Sequence, residues 1–139
     1  MTPNALLPIL VLLPVAAILA HAFLRGGNRA HANLNLAFQW IHGAVLVAAS
    51  LIGFRGSLVA SGEGMNLGIT HIMVTPTLYL DGRNAPFLLL MGLALPLVFT
   101  WLHDRDGRYG ASYYVAANLL SASLAGVFLS DSLLLLYLF

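Results

Sequence analysis

Four stretches of this chain are each long and apolar enough to cross a bilayer, and nothing else in the sequence constrains its fold as strongly. A spanning helix needs roughly 20 mostly apolar residues at about 1.5 Å rise each. The first stretch covers about 5–24 ("ALLPILVLLPVAAILAHAFL"), the second about 34–54, the third about 85–102 and the fourth about 112–129. A loop, 55–84, separates the second from the third, and a further apolar run, 132–139, reads as the start of a fifth span. The expected fold is an all-α polytopic membrane protein, one module over residues 1–139, with a short outer β-hairpin between the second and third helices. Composition agrees with this class. Of 139 residues, 60% are hydrophobic and 8% are charged, against about 25% charged in soluble domains.

Several classes of function drop out at once. The chain has no cysteine, so disulfides, thiolate chemistry and cysteine-ligated metals are excluded. There is no lysine, the six basic residues are all arginines and the net charge is +1. No basic run could follow a phosphate backbone, so nucleic acid is not a partner. No positive charge precedes the first apolar run, which therefore lacks the n-region of a cleaved secretory signal.

Arginine placement predicts the orientation. Arg25 and Arg29 fall between the first two spans, and Arg105 and Arg108 between the third and fourth, whereas the longer 55–84 segment carries only Arg55 and Arg83. Short loops rich in arginine stay in the cytoplasm, which puts the N-terminus and the long loop outside a bacterial inner membrane. In that loop, "RGSLVASGEGMNLG" reads as irregular. Residues 72–80 alternate apolar positions around Thr75-Pro76-Thr77 and read as a short hairpin or an extended strap over the helix ends. Asn84 before Ala85-Pro86 reads as a helix start with a capping side chain.

By these boundaries only His21 and His42 are ionisable residues within spans, and such residues are functional candidates because burying them in lipid is costly. A haem would need both imidazoles at one depth, yet they differ by roughly 7 Å along the helices. His42 is instead read as a proton-path candidate, with Asn118, Ser121 and Ser123 of the fourth span as further polar lining. The bland alternative makes these side chains inter-helix hydrogen-bond glue. Ala117, Ser121 and Ala125, and Ala122 and Gly126, are small residues four apart that let a second helix approach closely. The cluster His103, Asp104, Arg105, Asp106 and Arg108 reads as solvated ion pairs rather than as a metal site. No nucleophile–base pair, phosphate-cradling loop or paired carboxylate is present, so no catalytic, cofactor or metal residue is assigned.

Four local patterns agree on a family. "LLPILVLLPVAAIL" opens the chain, "YLDGRNAPFLLLMGLALPL" leads into the third span, a Tyr-Tyr pair begins the fourth, and "AGVFLSDSLLLLYLF" follows it. In that order and spacing they resemble the N-terminal part of the antiporter-like membrane subunits of respiratory complex I. The M-type subunit (chain 4) of NADH-quinone oxidoreductase is the nearest in appearance. The L-type and the D and A subunits of multi-subunit Na+/H+ antiporters are also similar. The resemblance implies a membrane-arm subunit that takes part in proton transport, has no cofactor of its own and is not catalytic alone. Its implied partners are other membrane-arm subunits, with a further chain supplying the rest of the subunit. The family's segment after "LLLLYLF" continues into an aromatic residue and a glutamate that pairs with a later lysine, and neither has a position in this sequence. What the resemblance carries over is scaffold: Asp81-Gly82 at the mouth of the third span, the small-residue face of the fourth, and Asp131. The competing expectations are a free-standing membrane scaffold or assembly protein, and a subunit of a hydrogenase-linked or Na+/H+ antiporter complex. Vesicles holding only this chain are expected to keep an imposed pH gradient as long as protein-free vesicles do. Faster decay, followed with an entrapped pH dye, would contradict the scaffold reading.

Overall fold

The computed structural model describes residues 6–61, 65–66, 73–74, 77–103 and 109–131. They form four helices, α1 (Leu6–Phe23), α2 (Asn28–Gly53), α3 (Ala85–His103) and α4 (Ala111–Leu129). Each is long and apolar enough to cross a membrane. Their outward faces are largely apolar. Leu12, Leu19 and Phe23 on α1, Trp40 and Ile41 on α2, Leu90, Leu97 and Trp101 on α3, and Leu119 and Leu120 on α4 are all exposed. Helices of this length and hydropathy with apolar outward faces suit lipid rather than water, so the fold is that of a membrane-embedded bundle. The apolar run at 132–139 lies outside the described residues.

The helix ends follow local chemistry. The connector after α1 contains Gly26-Gly27, and Gly27 is the extended N-cap of α2. Gly110 plays the same part for α4. α2 begins at Asn28, six residues before the position expected from hydropathy. Asn28, Arg29, His31 and Asn33 depress the local hydropathy without opposing helical geometry. The helix continues through them because its backbone groups still need partners.

Packing joins two close helix pairs, α1 with α4 and α2 with α3, through a further contact between α1 and α2. At the α2–α3 crossing, Gly43 faces Gly92. A Cβ on Gly43 would fall on the Pro96 ring and the Gly92 carbonyl oxygen, and one on Gly92 would lie 2.9 Å from the Gly43 oxygen. Pro96 cannot donate to the carbonyl four residues earlier, which is that of Gly92. The absent side chain of Gly43 thus lets α2 press its backbone against the break in α3.

The segment between α2 and α3 forms two short antiparallel ladders. β1 (Leu58–Ser61) pairs with β4 (Thr77–Leu80), and β2 (Met65–Asn66) with β3 (Met73–Val74). Three residues separate β1 from β2 and two separate β3 from β4, so the register shifts by one between the ladders. This corrects the expectation that "RGSLVASGEGMNLG" is loop. Leu58 is buried and Val59 exposed, the alternation of a half-buried strand, and the Gly-rich composition beyond it masks that signal. Leu58 and Leu80 face each other and join the hydrophobic core. After α4 the chain returns to this ribbon: Ser130 bridges Leu78, and the Asp131 amide donates to the Thr77 carbonyl at 3.2 Å.

Gly43→Ala is expected to cost about 1–3 kcal/mol through overpacking against backbone. Gly56→Ala places its Cβ where nothing lies within 4 Å and should stay within about 0.5 kcal/mol of the parent. Denaturant unfolding in mixed micelles compares the two, and equal stability would count against the close crossing.

Candidate functional site

On α2, His31, Asn35, Gln39 and His42 recur at spacings of four, four and three, which places them on one helix face. All four are buried, Asn35 and Gln39 at 1% exposure and His42 at 2%. The eleven residue steps from His31 to His42 make this file about 16 Å long. α1 adds buried His21, and α4 adds buried Tyr114, Asn118 and Ser121.

Asn118 is the hub. Its Nδ2 donates to Asn35 Oδ1 at 2.7 Å and to the Tyr114 carbonyl at 2.8 Å, while its Oδ1 accepts from Gln39 Nε2 at 3.1 Å. Three amide side chains from two helices therefore point their dipoles in a defined order. Toward the α1–α2 connector, His21 Nδ1 and His31 Nδ1 lie 3.1 Å apart. In that bond one imidazole presents N–H and the other its lone pair. The His21 ring also stacks on Tyr114, with centroids 5.6 Å apart.

At the other end of the file, His42 Nε2 donates to the Leu10 carbonyl at 2.9 Å. The partner has a specific origin. Pro14, inside α1, has no N–H to give the carbonyl four residues earlier, and that carbonyl is Leu10's. His42 supplies the hydrogen bond that the proline removes, and the bond fixes its tautomer with Nδ1 bare. The file also keeps unused capacity. Among the described residues, His21 Nε2, Gln39 Oε1 and His42 Nδ1 are buried with no hydrogen-bond partner.

The structure groups part of the expected polar path and leaves part aside. Asn118 joins the file directly. Ser121 is buried beside it, but its hydroxyl donates to the Ala117 carbonyl of its own helix at 3.0 Å. Ser123 is only half-buried. His21 and His42 are engaged by different partners, so the pair that a haem would need is not formed. Ala122, Ala125 and Gly126 are buried and Ala117 half-buried, on the helix whose main neighbour is α1. Of the charge cluster after α3, Asp104 to Arg108 lie outside the described residues. His31, Asn35 and Gln39 were not singled out from the sequence, although their spacing ahead of His42 was a usable signal.

The scaffold residues gather at the opposite end. Asp81 Oδ1 accepts from the Arg83 amide at 2.8 Å, and Asn84 Oδ1 accepts from the Asp81 amide at 2.8 Å. Asn84 does precede α3, but the expected cap is replaced by cross-links: its Nδ2 donates to the Tyr79 and Phe128 carbonyls at 2.7 and 3.0 Å. Phe87 stacks on Phe128 with centroids 5.1 Å apart. These residues, with Asp131, border a pocket of about 330 Å³. Gly82 sits in the turn beside them, with open space around it.

No protein-family model matches the chain, and no curated protein or solved structure is significantly similar to it. His42→Leu is expected to lose about 1–3 kcal/mol, because it leaves the Leu10 carbonyl buried without a donor. Pro14→Ala restores an N–H at position 14, so in that background the same substitution should cost less than half as much. A double-mutant cycle by denaturant unfolding measures the coupling. Strictly additive losses would mean that His42 does not compensate for Pro14.

Proposed function

We propose that the chain is an N-terminal helical module of an antiporter-like membrane subunit, M-type in character, of a proton-translocating NADH:quinone oxidoreductase. Its part is scaffold for ion translocation, with no redox chemistry of its own. One observation supports this reading best. Two of the segments that carry the resemblance, "YLDGRNAPF" and "FLSD", lie some distance apart in sequence yet are tied together in space. Asn84 bonds the Phe128 carbonyl, Phe87 stacks on Phe128, and Ser130 pairs with Leu78. Residues that recur in such a pattern are here engaged in holding a hairpin to two helix ends, which is a structural task.

In this reading the Arg25 and Arg29 end faces the bacterial cytoplasm and the hairpin faces outward, by the positive-inside rule. The apolar outer face of α3, with Leu90, Leu93 and Leu97 exposed, is available to lipid or to a neighbouring subunit.

Solubilising native membranes in mild detergent and capturing an affinity-tagged chain tests the proposal. The tagged chain should travel in a high-mass assembly with NADH:quinone reductase activity. Migration alone, or with hydrogenase or Na+/H+ antiporter subunits, would overturn it.

A further inference from the structure

The pocket at the hairpin end, about 330 Å³ in volume, is at the low end of the roughly 300–1,000 Å³ typical of small-molecule sites. Its lining is sorted by level. Phe87 lies in the first turn of α3 and Phe128 in the last turn of α4, and their stacked rings form its apolar edge. Asn84, immediately before α3, is held by bonds to the Tyr79 and Phe128 carbonyls. Asp81, Arg83 and Asp131 line the pocket from beyond the helix ends. The ends of spanning helices are where hydrocarbon gives way to the polar region of the bilayer. Apolar rings, a neutral amide and then charges therefore follow one another outward, which is the order of groups along a phospholipid.

The charges are also separated across the pocket. Arg83 belongs to the turn after β4, in which Asp81 Oδ1 accepts its amide. Asp131 is fixed at the opposite end of the same strand, where its amide donates to the Thr77 carbonyl. Four steps of extended chain put Thr77 and Asp81 about 13 Å apart. Among the described residues, no side chain pairs with the Arg83 guanidinium or the Asp131 carboxylate. We propose that this pocket holds the headgroup of a zwitterionic phospholipid with a primary ammonium, phosphatidylethanolamine, in the leaflet at the hairpin end. Arg83 takes the phosphate, Asp131 takes the ammonium, and the Phe87–Phe128 pair lies along the start of an acyl chain. A guanidinium forks onto phosphate oxygens, and a primary ammonium brings three N–H donors to a carboxylate. A choline headgroup carries the same charges without an N–H, and a glycerol headgroup has no cation. The site is made of this chain's own residues and holds whether or not the chain belongs to complex I.

The test titrates the purified chain, in non-ionic detergent, with phosphatidylethanolamine, phosphatidylcholine or phosphatidylglycerol of identical acyl chains, and counts bound lipid by native mass spectrometry. Phosphatidylethanolamine should bind about fivefold more tightly than either of the others, the worth of roughly one net hydrogen bond. Arg83→Gln should weaken its binding by at least that factor, and Asp131→Ala should bring it down to the level of phosphatidylcholine. Both side chains are exposed, so neither variant threatens folding. Equal binding of the three lipids, or phosphatidylethanolamine binding unchanged in either variant, would overturn the proposal. Glycerophosphoethanolamine, the same headgroup without acyl chains, should leave no adduct. An adduct as strong as the lipid's would make the ligand a soluble zwitterion and overturn the assignment to lipid.

Discussion

The hydrogen bond from His42 to the Leu10 carbonyl, together with the glycine beside it, is the contact on which the arrangement of helices depends. In lipid every backbone polar group needs a partner inside the protein, and this chain breaks that rule twice by placing Pro14 in α1 and Pro96 in α3. Adjacent residues of α2 lie against both breaks. His42 reaches toward α1 and bonds the carbonyl that Pro14 leaves without a donor. Gly43 faces α3, where the lack of a side chain admits the Pro96 ring and the Gly92 carbonyl to close range. Weak Cα–H···O contacts suit such an approach. α2 therefore lies between the two proline-bearing helices, with His42 and Gly43 at the level of these contacts.

Once α2 is fixed in this way, its polar face follows. His31, Asn35 and Gln39 lie on the same stripe as His42, so they are turned into the bundle with it. Buried amides without partners would be destabilising by about 1–3 kcal/mol each, and α4 meets this demand with a single residue, Asn118, which bonds both amides of α2. The small residues of α4 allow it to lie close against α1 while it does so. A hydrogen-bonded hub at one end and an apolar core at the other give the bundle two regions with different physical character. The first is specific and polarisable, the second dry and tightly packed.

The helices were legible in the sequence because lipid imposes length and hydropathy together. Leu6–Phe23 and Ala85–His103 fall within one residue of the expected spans at each end. α2 was legible only in part, since averaging hydropathy over a window penalises the stretch from Asn28 to Asn35 without separating inward-facing His31 and Asn35 from exposed Asn28, Arg29 and Asn33. The same averaging hid the file of polar side chains, which appears only when residues are sorted by helix face. The hairpin was half legible. Alternation near Thr77–Leu80 was visible, but its partner Leu58–Ser61 lies next to a Gly-rich stretch, and strand pairing is a long-range choice that local composition does not encode. The roles of Pro14 and His42 were each noticeable alone. What joins them is a contact between residues 28 apart on different helices, and no local pattern specifies it.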